Sequence, residues 1–286
     1  MEFAMFDQYP PKSVIVGVDG SKPAIRAARW AVDEVAGTDI PLRLLHVTRA
    51  APGASRREAR ATLQAAEEVV HDACQAIDRM GKPLKVEAEI IDGHPVPTLL
   101  AASRSATLIC VGDKGSAQHP NAWLGSTAKE LALSAHCSVA IIRGDGDDAD
   151  GTGRGCIVAR VDESPDDLDV LDLAINEALR RHAPLRVVTT AQSRSRDIQG
   201  NRKGCVTLDV LLERAKHDYP ELGIDTVALD GSFVDYAATH AALIQLLMVS
   251  SSRPGEMHQL LDAGGELALR GSDCSLVVVG LERLGH

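Results

Sequence analysis

Aromatic residues are scarce in this 286-residue chain: two Trp, three Tyr and three Phe, 3% of the total. Stacking nucleic-acid bases on aromatic faces has little to work with. Positive charge is short as well. Thirty Lys and Arg against 40 Asp and Glu leave a formal net charge of −10. That disfavours binding along a phosphate backbone or on an anionic membrane surface, so neither nucleic acid nor membrane is expected as a partner. The six cysteines, at 74, 110, 137, 156, 205 and 274, form no CxxC pair, which leaves zinc ribbons and thioredoxin-like sites unsupported. Cys110, Cys137 and Cys274 sit in or beside apolar runs and read as small buried hydrophobes of a reducing, cytoplasmic setting. The opening MEFAMFDQYPPK has no basic segment followed by an apolar one, so no signal peptide is expected. Tyr236 to Ser252 carries no Asp, Glu, Lys or Arg. It is slightly shorter than a spanning helix and includes His240 and Gln245, which predicts a buried helix running into a buried strand. GxSxG, HExxH and Walker loops are missing, so hydrolase and P-loop chemistry has no motif.

What is present is a duplication. VIVGVDGS around Asp19 returns as CIVARVDES around Asp162, WAVDEV as LAINEA, and PLRLLHV as PLRVVTT, all at an offset of 143. Further on, IIDG ending at Gly93 matches ALDG ending at Gly231, and ICVG ending at Gly112 matches LMVS ending at Ser250, both at 138. ELALSAHCSVAII from Glu130 then matches ELALRGSDCSLVVV from Glu266, apart from one inserted residue. The chain is two copies of one domain. Four segments are expected: a tail (1–12), a first copy (13–143), a linker (144–155) and a second copy (156–286). The linker, GDGDDADGTGRG, has five Gly and four Asp and no large apolar residue to anchor it. Its Asp spacing does not fit a calcium loop.

Within the first copy, Ser13 to Val18 is a continuous apolar run, the mark of a strand covered on both faces. Ser21 can cap a helix with Pro23 in its first turn, followed by Ile25, Ala28, Val32 and Val35 at helical spacing. Leu42 to Val47 is a second strand. Leu63, Ala66, Val70 and Ile77 mark a second helix, and Leu84, Val86, Ala88 and Ile90 alternate as a third strand. A short helix (Pro97 to Ser103), a strand (Thr107 to Val111), a helix after Gly125 and a last strand (Ser138 to Arg143) complete the order. This alternation predicts an α/β fold in each copy: a five-stranded, parallel, doubly wound sheet of Rossmann-like type.

Ligands of such sheets sit beyond the carboxyl ends of the strands, where strand order reverses. Two loops qualify. Gly17, Val18, Asp19, Gly20 and Ser21 follow strand one. Gly112, Asp113, Lys114, Gly115 and Ser116 follow strand four, and Gly125, Ser126 and Thr127 open the next helix. Glycines permit close backbone approach, and a helix N-terminus suits a phosphate. The VGVDGS start, the duplication and the spacing G-xx-G-x9-G-S/T from Gly112 to Ser126 resemble the universal stress protein family, in particular its tandem mycobacterial members.

The resemblance implies binding of an adenine nucleotide, ATP or else AMP or cyclic AMP, with magnesium as an optional companion. It also implies a regulatory role in stress, dormancy or growth control through a protein partner that the sequence does not identify. Carried over, Gly17 and Asp19 would lie by the nucleoside, while Gly112, Gly115, Ser116, Gly125, Ser126 and Thr127 would hold ribose and phosphates. No catalytic residue and no metal ligand is expected. The alternatives are a nucleotide-independent interaction scaffold and a slow ATPase. Asp113 is expected to repel phosphates, offset in part by Lys114. In the second copy Arg160 stands for Gly17 and is expected to obstruct the site. Both last strands are apolar (Val139 to Ile142 and Leu276 to Val279), and an open strand edge invites pairing. The resemblance extends this to an internal pseudo-dimer, and it permits a homodimer of the whole chain.

Overall fold

A computed structural model describes residues 12–49, 53–116, 123–144, 155–162, 164–190 and 208–280. Nearly all of the N-terminal tail and the linker, and the loop positions 117–121, lie outside these. The chain forms two compact units: residues 1–119 with 125–142 and 282–286, and residues 120–124 with 143–281.

The first unit runs β1 (Ser13–Val18), α1 (Lys22–Val35), β2 (Leu42–Thr48), α2 (Arg56–Asp78), β3 (Val86–Asp92), α3 (Pro95–Ala102), β4 (Ala106–Gly112), α4 (Ser126–Ser134) and β5 (Ser138–Ile142). Its strands are all parallel in the order β3-β2-β1-β4-β5. The order reverses between β1 and β4, which opens a crevice beyond their carboxyl ends. Ser21 caps α1 by accepting the Ala24 N–H at 3.3 Å. The buried stripe of α1 is mostly alanine, with Ala24, Ala27, Ala28 and Ala31 ahead of Val32 and Val35, and small side chains let the helix lie close to the sheet. Ile25 is only half-buried. Ser55 and Glu58 form a capping box at the start of α2. Its buried residues are Ala66, Ala73, Ala76 and Ile77, whereas Leu63 is 48% exposed, so the helix turns a narrower face inward than the spacing predicted. The third strand starts at Val86, two residues late, and is an edge strand with a mostly wet surface.

The second unit runs β6 (Cys156–Arg160), α5 (Pro165–Arg180), β7 (Leu185–Thr190), α6 (Leu208–Asp218), β8 (Ile224–Leu229), α7 (Phe233–His240), β9 (Ile244–Ser250), α8 (Pro254–Leu261), α9 (Ala263–Leu269) and β10 (Ser275–Val279). Its strands are parallel in the order β8-β7-β6-β9-β10. The uncharged stretch after Tyr236 is the end of α7, a single 3-10 turn and β9. Helix α9 is the counterpart of α4, and α8 precedes it in the second unit. Asp262 ends α8 and caps α9, accepting the Gly264 and Gly265 N–H groups. Trp123 and Arg143 belong to this unit. Trp123 N–H donates to Glu266 Oε1 at 3.1 Å, and Arg143 donates to Trp123 O at 2.7 Å and to Ser275 Oγ at 3.0 Å. Among the described residues, no helix is long and apolar enough to cross a membrane.

Candidate functional site

In the first unit the two glycine-bearing loops meet at Asp19. Its Oδ1 accepts the Ser21 N–H at 3.0 Å and the Ser21 hydroxyl at 2.6 Å; its Oδ2 accepts the Ser116 N–H at 2.7 Å. Gly20, between them, has φ +80°, a conformation that glycine adopts without strain. His46 Nδ1 lies 2.8 Å from Val18 O, which requires a proton on Nδ1 and ties the end of β2 to the end of β1. A β-carbon on Gly115 would stand 2.7 Å from Asp19 Oδ2. Gly115 is thus bare where the β4 loop passes the carboxylate.

Gly112 and Gly17 have different reasons to be glycine. A β-carbon on Gly112 would lie 2.5 Å from the carbonyl carbon of Pro23 and 2.8 Å from the Ala24 nitrogen. The position is bare so that the first turn of α1 can pack on β4. A β-carbon on Gly17 would meet Val111 Cγ1 at 3.2 Å and Leu99 Cδ1 at 3.4 Å, so Gly17 faces the side chains beneath α3.

Asp113 does not face a phosphate. Its carboxylate is buried and pairs with Arg26 of α1 at 3.4 Å. Its backbone anchors both sides of the loop: the N–H donates to Ile142 O at 3.0 Å, and the carbonyl accepts the Gly125 N–H at 2.7 Å. That last bond closes the long loop and sets the N-terminus of α4 beside the end of β4. Gly125 supplies no side-chain cap, and the first turn (Ser126, Thr127, Ala128) has no acidic residue. The uncapped amides there, with Ser126 exposed and Thr127 half-buried, are what a phosphate or another anion would meet. The structure therefore brings Asp19, Gly115, Ser116 and Gly125 to one end of the sheet, with Ser126 and Thr127 at the following helix terminus. It assigns Gly112 and Gly17 to packing. The Arg26–Asp113 pair had no local signature, because its members stand 87 positions apart.

A ready-made cation site is not part of this arrangement. Both Asp19 oxygens are engaged, Asp113 is paired, and no group of three His, Cys, Asp or Glu side chains among the described residues is placed to hold a metal. Magnesium fits here only as a companion of bound phosphates.

The second unit has filled the same place. Arg160, at the position of Gly17, is 1% exposed. It donates to Asp162 Oδ2 at 2.8 Å, to Glu256 Oε1 at 3.2 Å and to Val188 O at 3.3 Å. Ala237 stands where the first copy has Leu99, whose methyl group would meet a β-carbon on Gly17 at 3.4 Å. Arg253, at the position of Gly115, donates to both Asp167 oxygens at 3.1 and 2.5 Å and pairs with Asp162 at 3.0 Å. Asp162 Oδ1 accepts the Thr190 N–H at 2.9 Å and the Thr189 hydroxyl at 3.1 Å. Burial pushes the Asp162 carboxyl up, but hydrogen bonds from Arg160 and Thr190 and the charges of Arg160 and Arg253 outweigh it and hold it well below the usual carboxylate range. The counterpart of Asp19 is thus locked into an ion-pair cluster.

The model of the universal stress protein family matches residues 11–143. Over 286 residues the chain is 39% identical to a universal stress protein of Mycobacterium tuberculosis, covering 98% of this chain and 100% of that protein. A second from the same organism is 33% identical over 271 residues, covering 94% and 96%. The crystal structure of a universal stress protein from Archaeoglobus fulgidus superimposes with a TM-score of 0.67 at 17% identity, over 96% of this chain and 98% of that one.

Proposed function

The chain belongs to the universal stress protein family, and on that premise we propose that its first copy binds one adenine nucleotide, ATP foremost, and that occupancy regulates a response to stress or dormancy through a protein partner. The observation that carries this reading is the pairing of Asp19 with the Gly115–Ser116 turn beside the uncapped N-terminus of α4. The carboxylate end offers acceptors to a ribose hydroxyl or an adenine amino group. The helix end offers donors to phosphates. Lys114 brings one positive charge to the loop, and the Arg26–Asp113 pair removes the repulsion that an unpaired Asp113 would exert. AMP and cyclic AMP use the same features with fewer phosphate contacts. The residues bind and orient; none is placed as a general base, so turnover is not part of the proposal.

The test is mass spectrometry of small molecules released from the purified protein, joined to calorimetric titration with ATP, AMP and cyclic AMP. An adenine nucleotide in the released fraction, or saturable binding lost in Gly115→Val, is the expected result. No binding at millimolar concentrations of all three overturns the proposal and leaves a nucleotide-independent scaffold.

A further inference from the structure

The two copies differ sharply on one face of the sheet, away from the Asp19 site. Their strands share a register: Arg43 lies opposite Glu87, as Arg186 lies opposite Asp225. Helix α3 spans Pro95–Ala102 and α7 spans Phe233–His240, so Thr98 corresponds to Tyr236 and Ala102 to His240. In the second copy the Tyr236 and His240 rings stack, with centroids 4.3 Å apart and planes 30° apart. Arg186 Nη1 donates to the Tyr236 hydroxyl at 3.4 Å while Arg186 Nε pairs with Asp225 at 3.1 Å. In the first copy both rings are missing. What remains is a cavity of about 470 Å³ lined in part by Ile15, Leu45, Ile91, Thr98, Ala102 and Arg43. That is within the range of roughly 300–1,000 Å³ typical of small-molecule sites.

We propose that this cavity is a binding site for a small, neutral, planar aromatic molecule carrying a hydroxyl group. The rings would lie on Ile15, Leu45, Ile91 and Ala102, beside the helix positions at which the second copy carries Tyr236 and His240. The hydroxyl would take the place of the Tyr236 oxygen and accept from Arg43. One difference sharpens the chemistry. Arg43 pairs with Glu89 at 2.5 Å and with Glu87 at 3.5 Å, and the counterpart of Glu89 is Val227. The first copy therefore has a second carboxylate beside its Arg. It can accept the proton of a hydroxyl, and it repels a ligand that is itself a carboxylate. The proposal does not depend on nucleotide binding, because it rests on residues of β1, β2, β3 and α3 and on neither glycine loop.

The probes are 2-naphthol and 2-naphthoate, which share a ring system and differ in charge. They are titrated into the full chain and followed by naphthol fluorescence and by methyl NMR of Ile15, Ile91 and Ala102. Saturable shifts at these methyls with 2-naphthol, at least tenfold weaker with 2-naphthoate and unchanged by saturating ATP, are expected. Thr98→Tyr with Ala102→His transplants the second copy's rings and should weaken 2-naphthol at least tenfold. Glu89→Val, an exchange at the wet edge strand, should narrow the preference for naphthol over naphthoate several-fold, and it keeps the proposal testable if the double variant does not fold. The proposal fails if 2-naphthol gives no saturable shift up to its solubility limit, which would leave the cavity to a protein side chain. It also fails if ATP competes, if the folded double variant binds as before, or if Glu89→Val leaves the preference untouched.

Discussion

Two glycines of one motif, Gly112 and Gly115, hold their positions for different reasons, and substitution separates them. A β-carbon on Gly112 meets backbone of α1 at 2.5 Å, and backbone cannot step aside. Gly112→Ala should cost about 1–3 kcal/mol of stability, as overpacking does. On Gly115 the same atom meets only the end of the Asp19 side chain at 2.7 Å. Gly115→Ala should leave the melting temperature nearly unchanged and weaken nucleotide binding, because Asp19 must release Ser116. Thermal melts and calorimetry on the two variants distinguish the roles; equal losses of stability would refute the division. At Asp162 the prediction concerns pH. Its folded carboxyl titrates well below the unfolded value of about 3.9. The unfolded chain therefore takes up the proton first as pH falls, and the stabilisation is present above about pH 4 and lost below it. Asp162→Asn leaves the buried Arg160 with Glu256 as its remaining charged partner and should cost about 1–3 kcal/mol at pH 7. The gap to the parent should close progressively below pH 4 in urea titrations. A gap independent of pH would mean that the charge of Asp162 is not what holds the cluster.

Among the elements, α4 starts without a side-chain cap. Its N-cap is glycine, and no carboxylate balances the positive end of its dipole. Ser126→Asp should therefore act in opposite directions. It should stabilise the helix by roughly 0.3–1 kcal/mol and, if the proposed site is right, weaken ATP binding tenfold or more by placing a charge where the proposal seats the phosphates. Chemical denaturation and titration of one variant test both signs, and ATP affinity that survives would move the phosphates elsewhere. The element order was legible in the sequence because strand and helix periods alternate cleanly and recur at nearly fixed offsets. Arg160 was legible too, since a large side chain at a glycine position must fill space. The reason for Gly112 was not, because it lies in a helix about ninety positions upstream. Nor was the pairing of Asp113, where a local view of Asp beside Lys114 hid Arg26. The stacked Tyr236 and His240 were equally hidden: their spacing of four reads as an ordinary helix face until the first copy shows the same place empty.

At the scale of the whole chain, duplication has left one copy with glycines around Asp19 and the other with an ion-pair cluster at the corresponding place. The change is more than one substitution. Arg160 and Arg253 replace two glycines, and Asp162, Asp167 and Glu256 compensate their charge inside the protein. Removing the arginines would not restore a nucleotide site, because three carboxylates would then face any phosphate. We therefore predict that the second copy takes no nucleotide and that binding is asymmetric, with one adenine nucleotide per 286-residue chain. Calorimetry on the parent should give a stoichiometry of one, and Gly115→Val should reduce it to none. If the second copy bound as well, the parent would give two and the variant would keep one site of unaltered affinity. That result would show the Arg160–Asp162–Arg253 cluster opening to admit a ligand, against the cost of separating buried charges.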